Sequence, residues 1–402
     1  LSPFVVFVAP SCWMKGRRRA TIGALCLCVV ALSFFSLFRG IKIKRKLDVQ
    51  HQLEQDSQDL MTWFKGNGGI AGHVHLQFFS GWDKQQGDLG SGLKDMVRGL
   101  GAREDMDKGE LVLKVPRKLL IVPSKPVDSM QDNAILLALA VAAEIKKDSS
   151  STWNRYLALL PSEKQLQRTH PMYASNSDLA IFSDIAMARA VRGTRSRLRD
   201  SWKKGKVDGD DGNIAASFEG VYEWSEMLRA YVVQLSRRIR LQLPSVSDKN
   251  SLSQTLALVP VMDMMNFGDE TRKFNCGWDY AAEDDSLVVR TTRQVMRGEE
   301  LLLSEEEVEG KPKDNAYMAY QYGITIDGNQ TPLEQLPDDV CEGLQQEVEE
   351  LKSERDKKHP YRVLLAKLAR ESCVEVFEKR MHEEERDKED QDRIVFLAHV
   401  SN

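Results

Sequence analysis

The sequence predicts an α+β fold, in which a β-rich domain is split by an all-helical insert, preceded by a transmembrane helix and followed by a helical C-terminal region. Residues 20–38 form an uncharged, mostly apolar run between two basic clusters. Two blocks of short alternating apolar runs, within 73–115 and 256–303, flank a long stretch with helical periodicity. After Pro332 the pattern becomes helical and strongly charged.

The charge distribution separates the N-terminal segment from the rest of the chain. The 402 residues include 56 Lys and Arg and 60 Asp and Glu, which gives a net charge of −4. That value combines +9 in residues 1–47, where there is no acidic residue, with −13 in the remainder. Because phosphate binding needs clustered Lys and Arg, the acidic body argues against nucleic acid as a partner. The length suits two or three domains.

The apolar run at 20–38 is interpreted as a single transmembrane helix. Its 19 residues would span about 28 Å as a helix, close to the hydrocarbon thickness of about 30 Å. A buried core helix is the first alternative, but the basic clusters at both ends could not follow it inside. A cleaved signal peptide is the second alternative. Against it, the apolar run is longer than that of an ordinary signal peptide and is not followed by a small-residue cleavage site. We therefore expect a single-pass membrane protein.

The six cysteines are scattered, with Cys276, Cys341 and Cys373 isolated in the body. The absence of any C-x-x-C pair argues against a structural zinc site, so we expect no metal. Scattered thiols in a body of this size also argue against a disulfide framework and favour a reducing compartment.

The body before the insert begins with a predicted linker helix at 48–64. Strands are then predicted at 73–79 and 110–115 from their alternating, β-branched character. Residues 99–102, Gly-Leu-Gly-Ala, are interpreted as a glycine-rich turn before the second of these strands.

Helical periodicity dominates the predicted insert at about 124–250. Helices are predicted at 132–147, 153–160, 178–198 and 218–243.

The chain after the insert returns to strands and then to helices. Strands are predicted at 256–260, 286–290 and 300–303, and helices at 342–357 and 360–379. A Glu/Lys/Asp/Arg-rich stretch at 379–393 is predicted to be an exposed helix face.

Several motifs stand in a fixed order along this pattern. They are Gly99-Leu-Gly-Ala102, Gly109 to Leu120 with Pro116-Arg117, Arg229-Ala-Tyr running on to Ser236-Arg237, Val259-Pro-Val-Met-Asp263-Met-Met-Asn266-Phe267, Arg297-Gly-Glu-Glu-Leu301, Asn315-Ala316 and Tyr322-Gly-Ile324.

In order and spacing, these motifs resemble the SET domain of the Rubisco large-subunit lysine methyltransferase-like class, which includes the SETD histidine methyltransferase of actin. The resemblance covers residues 65–325. It implies a SET domain with a helical insert and a C-terminal substrate-binding region at 326–402, which we expect to be shortened. It further implies methyl transfer from S-adenosylmethionine to a protein, with lysine preferred over histidine as the acceptor, and a body that faces the cytosol or stroma.

The resemblance also implies the site residues. Tyr322 matches a tyrosine near the transferring methyl group. The alternative is a structural role, because a tyrosine in an apolar segment is more often a core residue. Arg237 matches the arginine that holds the cofactor carboxylate, with a solvated helix charge as its alternative. The residues implied to bind the cofactor are Gly99, Leu100, Arg237, Asp263, Asn266 and Phe267.

The chain also departs from the family pattern. Met96 and Val97 replace an acidic residue and the first glycine, Phe267 replaces a histidine, and Glu305 stands where the family has a tyrosine. A carboxylate cannot donate a hydrogen bond as a phenol does at neutral pH. A SET-fold pseudoenzyme that binds a partner protein therefore stands beside the enzyme as a second hypothesis. A third hypothesis, a membrane-tethered helical adaptor, rests on the charged C-terminal stretch alone.

Overall fold

The computed structural model describes residues 51–80, 96–123, 129–204, 218, 220–244, 252–268, 273–304, 313–326, 329, 331–353 and 360–379. The predicted span at 20–38, Glu305 and the charged stretch beyond 379 lie outside the described residues. No helix among the described residues has the length and apolar character needed to cross a bilayer.

The strands form a mixed six-stranded sheet and two separate hairpins. The sheet has the order β1-β4-β9-β8-β10-β7. Its pairs are antiparallel except where β10 runs parallel to β7 and β8. The strands are β1 Ile70–Ala71, β2 Val74–Ser80, β3 Met96–Ala102, β4 Leu111–Pro116, β5 Ile239–Pro244, β6 Leu252–Ala257, β7 Asn266–Phe267, β8 Cys276–Ala281, β9 Ser286–Thr291 and β10 Leu302–Leu303.

The hairpin β2-β3 corrects the interpretation of residues 99–102 as a turn. These residues lie inside β3, and Gly99 pairs with Gln77 of β2. Glycine serves here for close approach rather than for a turn, because side chains from other segments lie against residue 99. The prediction of strands at 73–79 and 110–115 is confirmed.

Helix α1, at 51–66, packs on the domain that it precedes. Leu60 and Phe64 are fully buried, and the Ser57 hydroxyl accepts a 3.0 Å hydrogen bond from the backbone nitrogen of Leu76 in β2. The predicted linker helix is therefore part of the core.

The insert is mainly helical. Its helices are α2 Met130–Lys146, α3 Asn154–Leu157, α4 Glu163–Thr169, α5 Asn176–Ile181, α6 Ala186–Lys204 and α7 Trp224–Leu235. Helices α2 and α7 pack against each other.

For two helices of the insert, the predicted bounds are wrong. The helix predicted at 178–198 is two helices, and α5 begins earlier because Ser175 caps it by accepting from the backbone nitrogen of Asp178 at 3.0 Å. The helix predicted at 218–243 ends at Leu235, and β5 follows it. Residues 239–243 alternate between buried and exposed, which is the period of a strand, so the insert is not all-helical.

The C-terminal region is helical, as predicted, with helices Asp338–Ser353 and Pro360–Glu371. Cys341 and Cys373 form a disulfide with α-carbons 5.6 Å apart. The expectation that scattered thiols stay unpaired is wrong for these two, because packing of the helices brings together cysteines 32 positions apart. The inference of a reducing compartment loses its basis.

Candidate active site

The turn that joins β6 to β7 positions most of the candidate site. Val261 has φ 73° and ψ −49°, and a short 3₁₀ turn, Met262–Met264, follows it. A β-branched residue at positive φ is strained, at a cost of about 1–3 kcal/mol, and such strain tends to occur at functional sites. The turn sets the backbone of Asp263 and leads directly into Asn266 and Phe267 of β7.

Asn266 connects this turn to β3 and to the strand region around Glu300. Its Nδ2 donates to Oε1 of Glu300 at 2.7 Å and to the backbone oxygen of Arg98 at 3.2 Å. A β-carbon on Gly99 would lie 2.7 Å from Glu300 Oε1 and 2.8 Å from Asn266 Nδ2. Gly99 therefore makes room for the Asn266–Glu300 hydrogen bond.

Asn275, which the sequence analysis missed, fixes the position of Glu300. Its side chain is fully buried, its Nδ2 donates to the backbone oxygen of Glu300 at 2.7 Å, and its Oδ1 accepts from the backbone nitrogen of Leu302 at 2.8 Å. The sequence gives no signal for this role beyond an asparagine before a buried strand.

Arg237 lies just after α7 and reaches the same turn. Its Nη1 donates to the backbone oxygen of Asp263 at 2.8 Å and lies 3.6 Å from the sulfur of Met264. Its Nε is inaccessible to water and has no hydrogen-bond partner among the described residues. The guanidinium thus helps hold the turn and keeps an unsatisfied donor.

A second arginine, Arg98 of β3, also contacts the 263–267 turn. Its Nη2 donates to the backbone oxygen of Leu159 at 2.9 Å and lies 3.6 Å from the sulfur of Met264. Burial and the nearby charge of Arg237 lower the pKa of Arg98 to about 10, against the opposing effect of Asp263. Sequence reasoning missed this residue because Arg98 lies between Val97 and Gly99 and is not itself a position that the motif specifies.

Asp263 supplies the negative charge between these arginines. The Tyr156 hydroxyl donates to its Oδ2, whereas Oδ1 is inaccessible and has no partner among the described residues. Asp263 as a whole is only half-buried, but its carboxyl is the part withdrawn from water, and this burial raises its pKa to about 6. Arg237, the Tyr156 hydrogen bond and Arg98 all oppose the shift without cancelling it.

Tyr322 meets the turn through Phe267. Their ring centroids are 6.0 Å apart with the planes inclined by 54°. Tyr322 ends the helix Asn315–Tyr322, and Gly323 follows it at φ 72°, where a β-carbon would lie 2.9 Å from the backbone oxygen of Thr169. The left-handed glycine thus ends the helix at the point where Tyr322 faces β7.

Leu100 differs from the other residues that were predicted to bind a cofactor. Its side chain is fully buried in the core, and its backbone oxygen accepts from the nitrogen of Leu301 at 2.8 Å. The remaining predicted residues form one connected set. Gly99, Arg237, Asp263, Asn266, Phe267 and Tyr322 are linked by the contacts of the 263–267 turn.

This arrangement combines two cations, a buried carboxyl and an aromatic pair around one strained turn. Within the described ranges, no three His, Cys, Asp or Glu side chains are grouped so that they could hold a metal ion. The family profile described as "SET domain" matches residues 97–304, which is just over half of the chain. The chain belongs to the SET-domain family. The resemblance inferred from the motifs is confirmed at this level, and the SET match begins within β3 and ends just after β10.

Individual relatives of this SET-domain chain are distant. Protein SET DOMAIN GROUP 40 of Arabidopsis thaliana is 25% identical over 182 residues, which are 42% of this chain and 34% of that protein. The chain therefore spans about a third of the length of this curated relative.

The solved structures similar to this chain include the SET domain of LSMT bound to lysine and AdoHcy. It has 16% identity and a TM-score of 0.47, over 69% of this chain and 58% of that one. Rubisco LSMT bound to AdoMet has 15% identity and a TM-score of 0.45, over 75% of this chain and 64% of that one.

Proposed function

We propose that this protein is an S-adenosylmethionine-dependent protein methyltransferase, with lysine preferred over histidine as the acceptor. Membership of the SET-domain family supports the reaction class. The observation that carries the proposal is the convergence of Gly99, Arg237 and Tyr322, which lie far apart in sequence, on the single turn at 263–267 that contains Asn266. The preference for lysine follows the resemblance of the motifs to the Rubisco methyltransferase-like class.

The residues at the turn fit the chemical needs of such a cofactor. S-adenosylmethionine supplies a methyl group on a sulfonium, and its carboxylate needs a cation. Arg237 carries a buried Nε donor without a partner among the described residues, so its guanidinium suits that carboxylate. Asn266, Phe267, Asp263 and the backbone near Gly99 and Leu100 would surround the rest of the molecule.

The methyl transfer itself needs positioning more than acid-base chemistry. The neutral acceptor nitrogen forms a bond to the methyl carbon, the carbon–sulfur bond breaks with its electron pair going to sulfur, and the nitrogen then loses a proton to water. Phe267 and Tyr322 would exclude water from the acceptor, and the Tyr322 hydroxyl would orient the amine.

The test combines cofactor binding with methyl transfer. Calorimetric titration of the full chain with S-adenosylmethionine should show binding, and Arg237→Gln should weaken it by about tenfold or more through loss of a charge-assisted hydrogen bond. Incubation with methyl-labelled cofactor and a cell lysate should label a protein. Absence of both heat and thermal stabilisation would exclude the enzyme.

A SET-fold pseudoenzyme is the second candidate, and the identity of residue 267 favours it. Phe267 stands where the family has a histidine, and its ring lies against the residue proposed as catalytic. Cofactor binding without methyl transfer to any lysate protein would support this candidate over the enzyme.

We also propose that residues 20–38 anchor the protein in a membrane with its body facing the cytosol or stroma. The support is the apolar run between basic clusters. Protease protection of intact organelles tests the orientation, and a body sealed within the secretory lumen would contradict it.

A further inference from the structure

Helix α6 is strongly basic within an acidic body. Residues 186–204 contain five arginines, two lysines and a single aspartate, whereas the chain beyond residue 47 carries a net −13. Two of these arginines pair with polar side chains that lie outside the cleft. Arg189 pairs with Glu334 at 2.9 Å, and Arg197 donates to the Gln131 side chain. The remaining arginines gather on another face of α6.

That face lines a half-open cleft of about 230 Å³ on the helical insert, bounded by α5, α6 and the start of α7. Among the described residues, its lining contains three arginines and no acidic side chain. The lining residues are Asn176, Leu179, Arg192, Arg195, Ser196, Arg199 and Trp224.

Within the part of the chain that the structure describes, each of these arginines is held by uncharged groups. Arg192 donates to the backbone oxygen of Ser183 at 3.0 Å, and Arg195 donates to the backbone oxygen of Ala174 at 2.7 Å. The guanidinium of Arg199 lies 4.8 Å from the ring centroid of Trp224. Backbone oxygens and an aromatic ring orient a guanidinium but carry no net charge, so the three positive charges remain available to an anion.

Asn176, a polar residue of the cleft, adds a further hydrogen-bond donor. Asn176 accepts from Arg195 through Oδ1 at 3.3 Å, so its amide NH₂ is a further donor. One neighbouring acid is engaged elsewhere: Asp178, which precedes the lining residue Leu179, accepts from Arg362 at 2.9 Å. Burial lowers the pKa of Arg195, and the nearby positive charge of Arg199 lowers it further.

We propose that this cleft binds a phosphoryl group carried by a phosphorylated side chain of a partner protein. A phosphate monoester carries close to two negative charges at neutral pH and three acceptor oxygens, which suits three guanidiniums better than a single carboxylate does. The recessed shape of the cleft favours one protruding side chain over a flat membrane surface. The Trp224 ring, which lines the cleft, can pack against the aliphatic part of that side chain.

The helix that carries the cleft arginines also contacts the helix that ends at Tyr322. Thr194 of α6 shares a 2.8 Å hydrogen bond with the Tyr320 hydroxyl, and Tyr320 lies on the helix that ends at Tyr322. A phosphorylated partner held on α6 would therefore be docked on the element that contacts the Tyr322 helix.

The test measures binding by the full chain in detergent, without S-adenosylmethionine, so that its result is independent of any methyl transfer. The probes are inorganic phosphate and a Gly/Ala heptapeptide with one phosphoserine, against the same peptide with serine and with glutamate. We expect the phosphoserine peptide to bind about tenfold or more tightly than either comparison peptide, with inorganic phosphate as a competitor. Its affinity should fall as salt rises.

Variants assign the binding to the cleft. Arg192→Gln with Arg199→Gln should weaken the phosphoserine peptide about tenfold or more, whereas Arg197→Gln on the same helix should change it by less than about twofold. Arg192, Arg197 and Arg199 are all exposed, so these changes should leave the melting temperature nearly unchanged. Should the double variant fail to fold, Ser196→Glu, which places a carboxylate among the arginines, should abolish binding.

Equal binding of the phosphoserine and serine peptides would overturn the proposal, as would an equal loss in the Arg197→Gln control. Preferential binding to phosphatidylcholine vesicles containing phosphatidylinositol 4-phosphate, with no preference for the phosphoserine peptide, would overturn it in favour of a lipid headgroup.

Discussion

The side-chain amide of Asn266 donates a 2.7 Å hydrogen bond to Oε1 of Glu300, and both atoms lie within 2.8 Å of the point where a β-carbon on residue 99 would stand. Three segments of the chain thus meet at a single glycine. The fold can make this junction only while residue 99 lacks a side chain, because real β-carbons rarely approach other atoms so closely.

Gly99→Ala should therefore disrupt the candidate site. Its methyl group would displace Asn266 or Glu300, and we expect a loss of about 1–3 kcal/mol in the free energy of unfolding together with weaker cofactor binding. Gly343→Ala is the control, because an added β-carbon there meets nothing within 4 Å. This helix substitution should stabilise by about 0.5–1 kcal/mol. Urea denaturation measures both, and equal effects would contradict the close-approach argument.

Asn266→Asp should be harmful at neutral pH and less harmful in acid. The new carboxylate would replace a donor and face Glu300 across 2.7 Å, so two negative charges would repel within a partly buried site. Protonation of either carboxyl restores a hydrogen bond. The melting temperature should therefore be depressed more at pH 7.5 than at about pH 4.5 relative to the unsubstituted protein. A depression that does not depend on pH would contradict the charge argument.

The Tyr322→Phe substitution removes the hydroxyl and keeps the ring, so it tests the two parts of the side chain separately. The ring contact with Phe267 at 6.0 Å should survive, so cofactor binding should stay within about twofold while the rate of methyl transfer falls about a hundredfold. Tyr320→Phe is the matched control on the same helix, since it removes a hydroxyl that is bonded to Thr194. Equal rates in the two variants would remove Tyr322 from the catalytic role.

Asp263 should make stability depend on pH. Its folded pKa of about 6 exceeds the ordinary 3.8, so between about pH 4 and pH 6 only the unfolded chain ionises this carboxyl. The free energy of unfolding should fall across that window as pH rises, by an amount on the order of 3 kcal/mol, and the contribution should stay constant above it. Below about pH 4 both states are protonated.

Asp263→Asn isolates this contribution, because the other titrating groups are common to both proteins. The difference in free energy of unfolding between the two should change in favour of Asn as pH rises from 4 to 7. Since Arg98, Arg237 and Tyr156 face the same carboxyl, the absolute difference at one pH is a poor guide, and the change with pH is the quantity to measure. A difference that is constant with pH would show an ordinary pKa.

Reduction of the Cys341–Cys373 disulfide should destabilise the C-terminal helices. The bond closes a loop of 32 positions, for which loop-closure entropy predicts about 3–4 kcal/mol. Mass spectrometry after alkylation without reductant should leave both cysteines unmodified. Cys276→Ser, at the buried thiol of β8, is the control that removes a sulfur without opening a loop. Alkylation of both Cys341 and Cys373 in the native protein would show that the bond is absent.

The sequence predicted the parts of the site that lie within short motifs. Asp263, Asn266 and Phe267 occupy one local turn, and Arg237 and Tyr322 each belong to a recognisable segment, so the order of the motifs was enough to group them. It did not reveal Arg98, Tyr156 or Asn275. Each of these is defined by a partner more than 20 positions away, and no local pattern marks such a contact.

The sequence by itself determined the family, the alternation of strands and helices and the identity of most candidate site residues, because hydrophobic period and motif spacing are local properties. Only the tertiary structure decided that Gly99 lies in a strand under Asn266 and Glu300, that β5 interrupts the insert, and that Cys341 meets Cys373. It also decided which arginines of α6 share a cleft. These outcomes depend on packing between distant segments, which burial and close approach determine and which the order of residues does not display.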